Sequence, residues 1–222
     1  MLNHALNLDM VILPGDSAWP VPLSLAVAFN EVVLIEGAGP AVSSPLLEVA
    51  STLASPVAGH VRHWGRDAAT RRREKLYRLR RRIAYISPQQ VLLHLISLAE
   101  NIALGPCYYL GCSEAEALEP HADLLDQLDL KAHLTQNPPQ VSNAIYGRAV
   151  WARELVKGPE LILAAISGEF ATTAGAAMLA SVLRQYRTRY GAAALLLMTL
   201  VWSGRKKKGV KDDILSRQAG TH

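Results

Sequence analysis

Short apolar runs closed by glycine or proline alternate along this chain with longer stretches of helical spacing. Glu31-Val32-Val33-Leu34-Ile35 is β-branched and ends at Glu36-Gly37, which predicts a buried strand entering a glycine turn. Leu23 to Val27 alternates loosely before it. Beyond the turn, Leu46, Leu47, Val49, Ala50 and Leu53 fall on one helical face. Ser43-Ser44-Pro45 is expected to start that helix, because a first turn tolerates a residue without an N–H. Val61 to Asp67 then predicts a short hairpin strand and turn, after breaks at Pro56 and Gly59.

The second half repeats the alternation. Ile83-Ala84-Tyr85-Ile86 is a strand candidate, and Ala115 to Leu130 carries Leu118, Leu124, Leu125 and Leu128 on one face of an expected amphipathic helix. A helix from Arg148 to Lys157 runs into Gly158-Pro159. Glu160 to Ile166 follows as the continuous apolar strand that lies inside a parallel sheet. A helix over Ala176 to Arg189 leads to a last strand, Ala194 to Val201. The expected architecture is α/β with a mostly parallel sheet, one domain over 1–222 and a helical subdomain over about 90–150.

Composition narrows the function classes. A chain of 222 residues, half of them hydrophobic, has enough apolar side chains for one sizeable core, which argues against a disordered chain. The net charge of +4 comes largely from two clusters, Arg71 to Arg82 and Arg205-Lys206-Lys207-Lys208, and points to acidic partners. The apolar run Ala192 to Trp202 is about half the roughly 20 residues a membrane span needs, and no signal pattern opens the chain, so a cytosolic protein is expected. Cys107 and Cys112 are too few for a disulfide framework or a four-thiolate metal site and read as ordinary thiols. His60 and His63 are spaced so that on a strand they face opposite sides, which does not suit a metal.

The order of landmarks over roughly residues 20 to 204 resembles the nucleotide-binding subunits of ABC transporters. Glu31 to Gly37 resembles the strand entering the phosphate loop, and Pro56-Val57-Ala58-Gly59-His60-Val61 to Asp67 resembles the family's P-x-x-G-x-V-x-x-x-G-x-D turn. Leu79 to Ile86 is similar to the strand before the Q-loop, and Leu98-Ala99-Glu100-Asn101-Ile102-Ala103-Leu104 to the L-x-E-N-V-A-L segment after it. Arg153 to Leu163 is similar to the stretch joining the signature helix to the Walker B strand. The resemblance implies a P-loop NTPase-like fold.

Against that pattern several chemical groups are missing. A phosphate loop works through glycine N–H groups, a Lys on the β- and γ-phosphates and a Ser or Thr on Mg²⁺. The corresponding stretch contains Gly37, Gly39, Pro40, Val42, Ser43 and Ser44, with Ser43 in the lysine's place and Ser44 aligned with the Mg²⁺-holding hydroxyl. The strand that should end in Asp-Glu has Ala165 and Ile166, with Glu169 a few residues on. Pro88 takes the usual glutamine position with Gln89 next to it. The signature reads Val141-Ser142-Asn143-Ala144-Ile145, and Met198-Thr199-Leu200-Val201 lacks the switch histidine. Gly37, Gly39, Ser43 and Ser44, Gln89 and Ser142 are therefore the candidate, vestigial nucleotide contacts, with no catalytic residue and no protein metal site. No adenine-stacking aromatic aligns clearly, Trp19 being a remote candidate.

The expectation that follows is a subunit without ATPase activity and without a bound cofactor, ATP included. It would act as a structural or regulatory part of a bacterial membrane transport complex, peripheral on the cytoplasmic face of the inner membrane. The implied partners are membrane permease subunits, together with a competent ABC ATPase subunit or a second copy of itself. Arg73-Glu74-Lys75-Leu76-Tyr77-Arg78-Leu79-Arg80 resembles the corresponding segment of Mla/MCE-type lipid transporters. Two alternatives stand beside this reading: a nucleotide- or anion-binding regulator or divergent enzyme that reuses the region from Gly37 to Ser44, and a nucleic-acid module using the Arg-rich segment, although no nucleic acid is expected.

Overall fold

Two four-stranded sheets share the strands of the chain, one antiparallel in the order β2-β1-β4-β5 and one wholly parallel in the order β3-β8-β7-β6. The strands are β1 (His4–Ile12), β2 (Leu23–Ala28), β3 (Val32–Ile35), β4 (Ala58–His63), β5 (Arg66–Asp67), β6 (Ile83–Ile86), β7 (Leu161–Ile166) and β8 (Ala194–Thr199). The structure is a computed structural model and describes residues 4–15, 22–36, 40–191 and 194–199.

β7 lies between β6 and β8, with Ile162 opposite Ala84 on one side and Leu195 on the other. All six of its residues are buried, which is why it shows no polar alternation. Leu161, Leu163 and Ala165 face a core with Leu46, Leu47 and Ala50 of helix α1 (Pro40–Ala50) and Leu6 and Leu8 of β1. Ile162, Ala164 and Ile166 face the other core, with Trp151 of α6 (Asn143–Leu155) and Leu179 and Leu183 of α7 (Thr173–Tyr190). Helix α1 thus lies between the two sheets.

Three sequence expectations change. Pro45 is not in a first turn: α1 begins at Pro40, so Pro45 lies inside the helix and leaves one i→i−4 bond unmade. Burial of Leu46 and Leu47 beside it offsets that loss. The single helix expected over Ala115 to Leu130 is broken into α4 (Glu114–Leu118), a 3₁₀ turn (Glu119–His121) and α5 (Ala122–Gln127): Pro120 lacks a donor, and His121, at φ −111° and ψ 14°, leaves the helical conformation. Its apolar face is right nonetheless, since Leu118, Leu124, Leu125 and Leu128 are all buried. β1, which the alternation does not announce, completes the antiparallel sheet.

Helix α2 (Arg73–Arg81) leads into β6, and α3 (Leu98–Leu110) follows the loop that leaves it. The segment Ser97 to Asn101 shows why its residue types are needed. Ser97 caps α3 by accepting from Glu100 N at 3.1 Å, and the Glu100 carboxylate takes Ser97 N at 2.7 Å. Buried Asn101 accepts from Leu93 N at 2.7 Å and donates to the carbonyls of Leu93 at 3.0 Å and Ser97 at 2.9 Å. Asn101→Ala is expected to cost about 2 kcal/mol of stability, from unsatisfied backbone groups. Urea unfolding measures that loss, and limited proteolysis should show faster cleavage between residues 88 and 97.

Candidate functional site

Strand β3 delivers the chain to the N-terminus of α1, where unpaired backbone N–H groups and the helix dipole favour an anion. Gly37 and Gly39 lie outside the described residues. Ser43, in the place of the family's lysine, is 1% exposed and therefore part of the core. Ser44 is half-buried, and its hydroxyl lies 3.3 Å from Gln89 Oε1. The same Oε1 takes the hydroxyl of Ser87, and Gln89 N donates back to Ser87 Oγ at 3.3 Å. Two positions 45 residues apart are thereby joined, although Pro88 displaces the glutamine by one place. Ser87 closes a tight turn, with Gln90 N donating to its carbonyl at 3.0 Å, and that turn carries the Gln89 side chain back to α1.

Beside this pair lies a cleft of about 230 Å³, lined by Ser87, Gln90, Tyr146, Trp151, Ser167 and Glu169 among others. Gln90 Oε1 is buried there without a partner among the described residues. An oxygen-rich edge of Ser44 and Gln89 suits a hard cation such as Mg²⁺. No lysine accompanies it at α1. Ala165 and Ile166 close β7 as buried apolar residues. Glu169 is not a solvated loop carboxylate: Arg148 holds it in a bidentate pair, with Nε at 3.0 Å and Nη2 at 2.5 Å, and also reaches Asp129 at 3.0 Å. The bonds to Glu169 raise the Arg148 pKa further above its ordinary value.

Ser142 is the N-cap of α6, and its hydroxyl accepts from Ile145 N at 3.3 Å. Asn143, in the first turn that Ser142 caps, lines the cleft. Helix α6 also pins the loop after β6: Tyr146 Oη accepts from Leu92 N at 2.7 Å, and Arg153 donates to the Val91 carbonyl at 2.8 Å. Sequence spacing did not reveal Arg148 or Tyr146, because their partners lie on other elements, nor Gln90, which only the fold places in the cleft. Trp19, Leu200, Val201 and the basic run Arg205 to Lys208 lie outside the described residues. His60 pairs with Asp67 at 2.7 Å, whereas His63 is buried and bonds the Ala50 carbonyl at 2.7 Å.

No family model matches the chain. It is 33% identical over 143 residues to the macrolide export ATP-binding/permease protein MacB of Burkholderia thailandensis, covering 64% of this chain and 22% of that protein. It is 31% identical over 143 residues to the lipoprotein-releasing system ATP-binding protein LolD of Geobacter metallireducens, covering 64% and 63%. The fold matches a dimeric post-hydrolysis state of the ATP-binding cassette MJ0796 bound to ADP and Pi, with a TM-score of 0.73, 21% identity and 87% of each chain covered. The fold is that of ABC ATPase cassettes, and the sequence relatives are ATP-binding proteins of transport systems. The chain spans about a fifth of the first of these relatives and under two thirds of the second.

One expectation is overturned by these likenesses. The reading of the chain as a non-enzyme, made from residue types at the phosphate loop and at the end of β7, does not stand: its sequence relatives are ATP-binding proteins of transport systems, and nothing in the comparison marks this chain as inactive. A position-by-position reading leaves out groups that the fold supplies without a matching residue. Backbone N–H groups at the start of α1 do not depend on a matching side chain, although Pro40 itself has no N–H, and Gln89 reaches Ser44 from a shifted position.

Proposed function

We propose that the chain is the ATP-binding subunit of an ABC-type membrane transport complex. It acts on the cytoplasmic face of the membrane, pairs with a second cassette and docks on permease subunits. The observation that carries this reading is the approach of Ser44 to Gln89 at the start of α1. In this role the α1 N-terminus takes the phosphates, Ser44 and Gln89 present oxygens to Mg²⁺, and Ser142 on the signature helix faces the second cassette. Bound Mg²⁺-ATP supplies the phosphoanhydride and the charge that joins the two cassettes. The exposed apolar side chains Val91, Leu93 and Leu95, on the loop that Asn101 and α6 hold in place, suit a permease surface. The resemblance of Arg73 to Arg80 to Mla/MCE-type transporters favours a lipid cargo within this reading.

Calorimetric titration of the purified chain, and of the complex recovered from its native membrane, tests the proposal. Mg²⁺-ATP is expected to bind, and Ser44→Ala is expected to weaken it about tenfold, the effect of one hydrogen bond to a charged group. Metal-free nucleotide should be affected far less. If neither the chain nor the complex takes up Mg²⁺-ATP, the reading fails. Uptake of inorganic phosphate alone would instead indicate an anion-binding regulator.

A further inference from the structure

Helix α2 carries more positive charge than its surroundings neutralise. Arg82, just past its end, is paired with Glu160 at 2.5 Å and stacked on Trp64, and Arg80 donates to Thr52 Oγ1 at 3.2 Å. Arg72, Arg73, Lys75, Arg78 and Arg81 are exposed and have no carboxylate within ion-pair distance among the described residues. Glu74 is the one acidic side chain on the helix. Cations on a solvated face interleave with carboxylates when their task is solubility alone. Here five remain unanswered on one short segment.

The face does not end with α2. The Arg81 guanidinium lies 4.3 Å from the centroid of the Tyr109 ring, and Tyr109 meets Tyr108 edge-on at 5.3 Å. Arg81, Tyr109, Leu110 and Lys157 rim a shared depression. At the end of α3, Tyr108 is 82% exposed and Leu110 is 72% exposed. Unpaired cations beside exposed tyrosines and a leucine match the anionic headgroup layer of a bilayer: the charges meet lipid phosphates, tyrosine rings are favoured at headgroup level, and an aliphatic side chain gains by entering the acyl boundary. Nucleic acid would satisfy the arginines and leave Leu110 in water.

We propose that this face, formed by Arg72, Arg73, Arg78, Arg81, Tyr108 and Leu110, binds the surface of an anionic lipid bilayer directly. The binding does not depend on the nucleotide reading, so failure to bind ATP leaves it standing. Sedimentation of the full chain with vesicles of phosphatidylcholine alone, or mixed with phosphatidylglycerol, is the test. Binding to the mixed vesicles only, weakened by salt, is expected. Arg78→Ala and Arg81→Ala should each lower the partition about fivefold, and Leu110→Ser should remove the part that survives high salt. All three sites are exposed, and circular dichroism checks that the variants remain folded. Equal binding to both vesicles, or no binding, overturns the proposal. So does binding that is lost on neutralising Arg205 to Lys208 but not on changing Arg78 and Arg81. Salt-sensitive capture of duplex DNA, indifferent to Leu110→Ser and without vesicle binding, assigns the face to nucleic acid instead.

Discussion

Gly59→Ala is expected to destabilise the protein by about 4 kcal/mol, the upper range for a single substitution. Gly59 has φ +87°, and a Cβ there would stand 2.3 Å from the Met10 carbonyl oxygen and 2.6 Å from that of Asp9. Both contacts are with backbone, so no side chain can rotate away. The approach arises because β1 shifts register against β4 between Asp9 and Ile12, with Met10 at φ +50°, which brings its carbonyl over Gly59. Gly65 provides the control. It too has positive φ, +75°, in the β4–β5 turn, yet a Cβ there meets nothing within 4 Å, so Gly65→Ala should cost only about 1 kcal/mol. Urea unfolding of both variants measures the difference. Equal losses would mean that the conformation of Gly59, and not the close approach, makes glycine necessary.

Lowering the pH from 7 to 4 is expected to remove about 3 kcal/mol of stability through His63 alone. His63 is fully buried on β4, and its Nε2–H donates to the Ala50 carbonyl at the end of α1. Burial chiefly, and the nearby Arg71 guanidinium to a lesser extent, lower its pKa from 6.5 to about 4, although the Ala50 bond opposes the shift. Protonation would place a charge on Nδ1, which has no partner in the described structure. Because the folded form binds its proton more weakly than the unfolded chain, stability is full above about pH 6.5 and falls as pH drops towards 4, levelling off below. Burial lowers His121 as well, and it contributes in the same direction. Thermal or urea unfolding across this range should show the loss. His63→Leu should remove most of the slope, and an unchanged slope would place the titrating group elsewhere.

The contrast between His60 and His63 shows how far the sequence could be read. Their opposed faces followed from the two-residue period of a strand, and the structure has one paired with Asp67 in solvent and the other in the core. Their partners did not follow, since Ala50 comes from α1. The same holds for the site. Ser44 and Gln89 were each picked out by position, but the bond between them depends on the turn at Ser87. Glu169 stood out only as a carboxylate near the end of β7, and its partner Arg148, 21 residues earlier on another helix, is joined to it by the fold alone.

The sequence by itself determined the parallel strands, the glycine turns, the apolar faces and the order of family landmarks, because these depend on local periodicity and on residues that few backbone conformations accept. Only the tertiary structure decided that β1 joins the antiparallel sheet, that Pro45 is carried inside α1, and that Gly59 must lack a side chain. It also decided that Gln89 serves α1 and that Arg81 joins the cations of α2 to the tyrosines of α3. Each of these is a contact between segments distant in sequence, and its energy comes from surfaces that meet only when the chain has folded.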